Sequence, residues 1–220
     1  CKNPKIIQVS ALNGIYAIVY SRPSSGNRLY LSTVHIYSDG RIEKTVVNTR
    51  VLDMNNSATP DIIKIDWNTY AVVYSIDAAQ NGVLLSLDIS LTGTISPVTN
   101  RLPLGDIMIE PEIVKIVDSA DNYVIVYNCI GNDGGLRTVK ITNTGLISDI
   151  SGHVYFDEDD GGSPEIINIK NKIYAIVYAG PVLRQSLMLK TVEISAAGAI
   201  TLFAASRAKI IDEYQTDFIA

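Results

Sequence analysis

Tyr16-Ala17-Ile18-Val19-Tyr20 decides the fold, because the chain writes it four times. It returns as Tyr70-Ala71-Val72-Val73-Tyr74, Tyr123-Val124-Ile125-Val126-Tyr127 and Tyr174-Ala175-Ile176-Val177-Tyr178. Successive copies start 54, 53 and 51 residues apart (16 to 70, 70 to 123, 123 to 174). By the period of two, the tyrosines and the central Ile or Val share one face, and the small residue and the following Val share the other. Apolar residues on both faces describe a strand packed on both sides.

The surrounding sequence repeats in step. Ahead of each copy stands a proline followed by a short apolar run, as in Pro4-Lys5-Ile6-Ile7, Pro60-Asp61-Ile62-Ile63, Pro111-Glu112-Ile113-Val114 and Pro164-Glu165-Ile166-Ile167. Proline suits the first residue of a strand, where its missing N–H breaks no ladder, so these runs are read as strand a. A tight turn leads into the Tyr-x-x-x-Tyr strand b. Strand c follows over Leu29 to Ile36, Val83 to Ile89, Leu136 to Ile141 and Leu187 to Ile194, and it is expected to be half exposed. A turn with Gly40, Gly93, Gly145 or Gly198, each followed two residues later by Ile, leads to a more polar strand d. No helical periodicity interrupts this order.

Four short strands per period of about 50 residues give an all-β chain of four-stranded antiparallel blades. The repeats run over about 4–59, 60–110, 111–163 and 164–215, in one domain over 1–220. The tail from Ile211 to Ala220 resembles the run from Leu52 to Ile63, so 216–220 is read as the start of a fifth blade or a closing strand. In repeat length and strand order the chain resembles β-propeller proteins over nearly its whole length. It lacks the Trp-Asp pair of WD repeats and the paired glycines of kelch repeats. Ser38-Asp39-Gly40 is similar to the Asp-box of sialidases in one copy only. The resemblance implies a central channel lined by strand a and binding loops on one face. The ring is completed by four blades, by missing blades, or by self-association of two chains.

On that layout the acids after the prolines, Asp61, Glu112, Glu165 and Asp217, would surround one mouth of the channel. Three readings stay open: caps for backbone N–H groups, a cation or ligand ring, or catalytic carboxylates of the kind propeller glycosidases use. A second acid set, Asp53, Asp106, Asp157 and Asp212, lies in the loops running into the prolines. The stretch Asp157-Glu158-Asp159-Asp160-Gly161-Gly162 offers hard oxygens and a sharp turn to calcium through Asp157, Asp159 and Asp160, or is simply a solvated turn. Beyond calcium no cofactor is expected. Asn132-Asp133-Gly134-Gly135 reads as a turn. Trp67 is either a turn residue packed on the next blade or a sugar-stacking platform.

Composition narrows the partners. Hydrophobic residues are 47% and charged residues 19%, which excludes a disordered chain, and the net charge of −5 with scattered Lys and Arg disfavours nucleic acid. Apolar runs are of strand length, so no membrane span is expected. The two histidines, His35 and His153, fall in different repeats, and no Ser–His or Cys–His constellation accompanies them. Cys129 reads as a buried thiol, and Cys1 is either a lipid-bearing N-terminal residue or an arbitrary cut. Asn55-Asn56-Ser57 is a glycosylation acceptor and points outside the cell or to its surface. The sequence therefore favours a non-catalytic recognition or scaffold module for protein or glycan. A glycosidase using the channel acids and a structural subunit of a surface layer or appendage are the alternatives.

Overall fold

A computed structural model describes residues 1–76, 80–180 and 187–211, and alternating apolar faces and glycine turns fold these described residues into sixteen strands. The strands are β1 Lys2–Ser10, β2 Ile15–Arg22, β3 Arg28–His35, β4 Asn48–Asp53, β5 Ser57–Lys64, β6 Thr69–Ile76, β7 Asn81–Ile89 and β8 Ile95–Ile107. They continue as β9 Ile109–Lys115, β10 Asn122–Asn128, β11 Gly134–Ile141, β12 Ile147–Asp157, β13 Gly162–Lys170, β14 Ile173–Ala179, β15 Leu187–Ile194 and β16 Ile200–Ile211. They form four four-stranded sheets, each joining four consecutive strands in chain order. These are the four antiparallel blades of a β-propeller, with the Tyr-x-x-x-Tyr copies as the second strand of each. The tail over 212–220, with Asp212, Asp217 and the expected fifth-blade start, lies outside the described residues.

The chain divides into two compact units. One comprises Cys1–Ile113 with Lys140–Ser148, the other Val114–Val139 with Asp149–Ala220. In the first unit, Ala17, Val19, Leu29 and Leu31 of the first blade pack with Tyr70, Val72 and Tyr74 of the second in one buried cluster. In the second unit, Val124, Val126 and Leu136 join Tyr174, Ile176 and Tyr178 in the same way. The small-residue face of one blade thus receives the tyrosine face of the next. Burying a side chain of this size contributes about 1.5–3 kcal/mol, so these faces hold the blades together.

Three expectations need correcting. The prolines do not open their strands. Each follows a residue with positive φ, namely Asn3 (48°), Thr59 (43°), Glu110 (52°) and Ser163 (44°). The register of β1, β5 and β13 slips at these points, between Lys2 and Lys5, Ala58 and Asp61, and Gly162 and Glu165. They are β-bulges, whose unpaired residue lets a proline sit inside a strand without losing a ladder bond. Strand c is more buried than expected in the second blade, where Val83 to Leu87 are inaccessible or nearly so, whereas β15 of the fourth blade keeps the half-exposed pattern. Gly134 and Gly135 begin β11 rather than forming a turn. A Cβ on Gly134 would lie 2.1 Å from the Phe156 ring, and one on Gly135 would lie 2.6 Å from that of Tyr127.

Candidate functional site

The acids of the inner strands do not share one environment. Asp61 on β5 is half-buried, and its Oδ2 accepts the N–H of Ile113 on β9 at 3.0 Å. Burial raises its pKa above the usual carboxylate value, while the Ile113 N–H and the Lys5 charge pull it back. Glu112 is the residue before Ile113 in the first unit. It is half-buried, whereas Glu165 on β13, in the second unit, is exposed. Asp217 lies outside the described residues.

Two of the loop acids, Asp53 and Asp157, prove to be framework residues. Asp53, at the end of β4, is buried. It accepts the Tyr74 hydroxyl at 2.6 Å and the Asn55 N–H at 2.9 Å, and pairs with the Arg101 guanidinium. Burial works against its charge, yet these three donors hold its pKa below the ordinary value. Tyr74 is correspondingly pushed far above the usual phenol value by burial and by Asp53. In the second unit Asp157 plays the same part for Tyr178, whose hydroxyl donates at 2.6 Å. The other Asp157 oxygen accepts the N–H groups of Asp159 and Asp160 at 3.1 and 3.2 Å. Asp159 is exposed and Asp160 buried, so the three residues named for calcium point to different surroundings. Among the described residues no three His, Cys, Asp or Glu side chains converge as a metal site would require. A sequence signal could have found these pairs. Asp to the second tyrosine of the next repeat is 21 residues each time, 53 to 74 and 157 to 178, although the repeats themselves differ in length.

At the opposite end of the first blade a depression of about 710 Å³ lies between its two hairpin turns, lined by Asn13, Tyr16, His35, Tyr37, Ser38 and Gly40. The His35 ring meets Tyr37 edge-on at 4.2 Å, and Arg41 stacks over Tyr37 at 4.7 Å. His153, in the second unit, instead takes a 2.6 Å hydrogen bond between its Nδ1 and the Tyr127 hydroxyl. Trp67 is 67% exposed. Cys129 is buried, Cys1 is exposed, and neither is in a disulfide. The loops after strand b differ between repeats. The first contains a 3-10 turn at Pro23–Ser25, and the third one at Ile130–Asn132 with Ile130 exposed. No described helix is long and apolar enough to cross a membrane.

No protein-family model and no curated protein matches the chain. Solved structures do. The chain is similar to a hypothetical selenium-binding protein from Sulfolobus tokodaii, with a TM-score of 0.64 and 8% identity, over 93% of this chain and 54% of that one. It is similar to an endo-arabinase from Bacteroides thetaiotaomicron at TM-score 0.51 and 10% identity, covering 93% and 80% of the two chains. A subtype N10 neuraminidase-like protein of A/little yellow-shouldered bat matches at 0.54 and 11%, covering 89% and 64%. The chain thus spans about half the length of the first of these. At such identities the likeness carries the propeller fold and no chemistry.

Proposed function

We propose that this chain is a non-catalytic recognition or scaffold propeller that binds protein or glycan through the loops that differ between its repeats. One observation carries the reading: three of the recurring acids, Asp53, Asp61 and Asp157, are engaged in bonds to a neighbouring blade. Asp53 and Asp157 receive tyrosine hydroxyls, and Asp61 receives a backbone N–H of the following blade. A carboxylate fixed by several donors is an anchor and is poorly placed to gain and lose a proton during a reaction. The binding surface is assigned to the loops at the Asp53 and Asp157 ends, where Met54 and Ile130 are exposed in their respective units. A glycan array and a set of chromogenic aryl glycosides test this together. Binding without turnover is expected. The reading fails if a folded Asp61→Asn, Glu112→Gln or Glu165→Gln variant loses a hydrolysis that the parent chain performs.

The glycosidase alternative rests on two observations. The fold is shared with an endo-arabinase, and Asp61 has the raised pKa that a general acid needs. The same three variants decide between the readings. Two further proposals stand apart. Calcium on the turn from Asp157 to Asp160 would raise the melting temperature on titration, and a flat titration would dismiss it. A location outside the cell is proposed on Asn55, which is exposed in Asn55-Asn56-Ser57. Expression in a secretory eukaryotic host would then add glycan mass at Asn55, and an unmodified Asn55 peptide would count against it.

A further inference from the structure

One end of each blade is fastened in a repeating way. Thr33 donates its hydroxyl to the Gly93 carbonyl at 2.6 Å, Ser86 to that of Gly145 at 2.6 Å, and Thr138 to that of Gly198 at 2.8 Å. In each case a strand-c hydroxyl of one blade reaches the turn glycine of the next. A second bond lands two residues earlier in the same turn: Asn13 reaches the Leu91 carbonyl at 3.0 Å, Thr69 that of Asn143 at 2.8 Å, and Asn122 that of Ala196 at 2.8 Å. These bonds engage the turns from strand a to b and from c to d. The opposite end, where strand b turns into c, differs in sequence in every repeat.

In the first repeat that hairpin sets two arginines face to face. Arg22, the last residue of β2, is the direct cross-strand partner of Arg28, the first of β3. Like charges directly opposite on a sheet are destabilising, and arginine keeps its charge at every physiological pH. Among the described residues neither is ion-paired with a carboxylate. Asp53 stands at the same end, opposite Leu29, but it lies on the other face and is taken by Tyr74, Asn55 and Arg101. Tyr20 and Tyr30, on the arginine face, are stacked at 5.8 Å and 13° from parallel. The Arg22 guanidinium lies 5.8 Å from the centre of the Tyr30 ring, and its Nε donates to the Ser24 hydroxyl at 3.2 Å, so it is held in place. The Tyr30 pKa is lowered, chiefly by a hydrogen bond to Ser25 and further by the charges of Arg22 and Arg28. Arg22 and Ser24 are exposed, and Arg28, Ser25 and Tyr30 are half-buried. All of these side chains belong to one hairpin. The same two places in the second repeat hold the uncharged pair Ile76 and Asn81.

We propose that the Arg22–Arg28 hairpin is an oxyanion site that receives the sulfate or carboxylate group of an acidic glycan. The proposal rests on the reading that the loops differing between repeats form the binding surface. An oxyanion set between the two guanidiniums removes their repulsion and accepts charge-assisted hydrogen bonds from both forks. The rim around them is made of hydroxyls, those of Ser24, Ser25 and Tyr30. Each both donates and accepts, as the hydroxyls of a sugar do, which favours a glycan over an acidic peptide.

Isothermal titration calorimetry on the whole chain compares a heparin-derived hexasaccharide, its desulfated form, which keeps the uronic carboxylates, and neutral cellohexaose. Binding of the sulfated form alone assigns sulfate, and equal binding of the desulfated form assigns carboxylate. Arg22→Gln and Arg28→Gln alter surface side chains, so both variants should fold, which circular dichroism checks. Each should weaken binding at least about ten-fold through the loss of a charge-assisted contact. Arg41→Gln, in the turn at the other end of the same blade and paired with Asp39, should bind as the parent does. A parent chain that binds neither acidic form overturns the proposal. So does cellohexaose binding of equal strength, an unchanged affinity in the Arg22 and Arg28 variants, or an Arg41→Gln variant weakened as much as they are. A phosphorylated acidic peptide that binds through the two arginines in place of both acidic glycans overturns it as well. Neutral glycans still bound on the array would then leave the broader recognition reading standing, whereas a hydrolysis lost in the Asp61, Glu112 or Glu165 variants removes that reading alone.

Discussion

Removing the Tyr74 hydroxyl while leaving its ring isolates the bond between successive blades at the Asp53 end. The hydroxyl is buried and donates to a carboxylate at 2.6 Å. A charge-assisted bond of this kind contributes about 1.5–3 kcal/mol. Asp53 keeps Asn55 and Arg101 in Tyr74→Phe, so the carboxylate is not stranded and the cost should be about 2 kcal/mol. For a chain of this length that lowers the melting temperature by roughly 4–8 °C. Tyr20 is the internal control, since it holds the same place in the first repeat but its hydroxyl pairs with the neutral Ser32 hydroxyl, at 3.1 Å, on a half-buried face. Tyr20→Phe should cost under about 1 kcal/mol. Tyr178→Phe should match Tyr74→Phe through Asp157. Urea unfolding followed by circular dichroism reads all three. The carboxyl of Asp53 titrates below its unfolded value of 3.8, so its contribution is complete above that pH and disappears as pH falls through the lower folded value. The gap between parent and Tyr74→Phe should therefore narrow in strong acid. Equal costs for Tyr20→Phe and Tyr74→Phe would refute the reasoning.

Asp61 should behave in the opposite sense. Its folded pKa is raised, so its contribution is fullest below the unfolded value and declines as pH rises through the folded one. Asp61→Asn keeps an oxygen for the Ile113 N–H and should stay within about 0.5 kcal/mol of the parent at pH 7, while losing the gain the parent shows on acidification; urea midpoints at pH 7 and pH 4 check this. Gly93 and Gly40 share a left-handed backbone, at φ 89° and 86°, but differ in what surrounds them. Alanine should cost about 1–2 kcal/mol at either from the backbone alone, and about 1–3 kcal/mol more at Gly93, whose Cβ would lie 2.9 Å from Val47; thermal melts that rank the two alike would contradict the packing. Gly134→Ala should be worse still, because the Phe156 ring occupies the Cβ position, and Phe156→Leu in the same chain should recover part of the loss.

The blades were legible in the sequence because their signal is local. Two tyrosines flanking a small residue and branched aliphatics fix both the strand and its two buried faces, and the glycine turns mark where each hairpin closes. The bulges were not legible. Nothing in Thr59, Glu110 or Ser163 advertises a left-handed backbone, and a proline placed by a bulge reads the same as one placed at a strand start. The acids divide along the same line. Asp61 appeared as a cap for backbone N–H groups among the readings left open, and it accepts one. Asp53 and Asp157 read as surface loop acids because composition shows a carboxylate next to a turn and says nothing of a tyrosine hydroxyl one repeat away. The fixed 21-residue offset was the available clue. Trp67 shows the limit of turn position as a guide, since most of its surface faces solvent.

The contact between a strand-c hydroxyl and the following turn glycine, written three times with near-identical geometry, also bears on how such a chain changes length. A duplicated repeat arrives with the donor for its successor and the acceptor for its predecessor already in place. Adding or deleting one unit of about 50 residues therefore requires no new surface to evolve, and stability should scale with the number of joints as it does in other nearest-neighbour arrays. Substitutions at Thr33, Ser86 or Thr138 would weaken one joint each, whereas recombination between repeats would leave every joint intact.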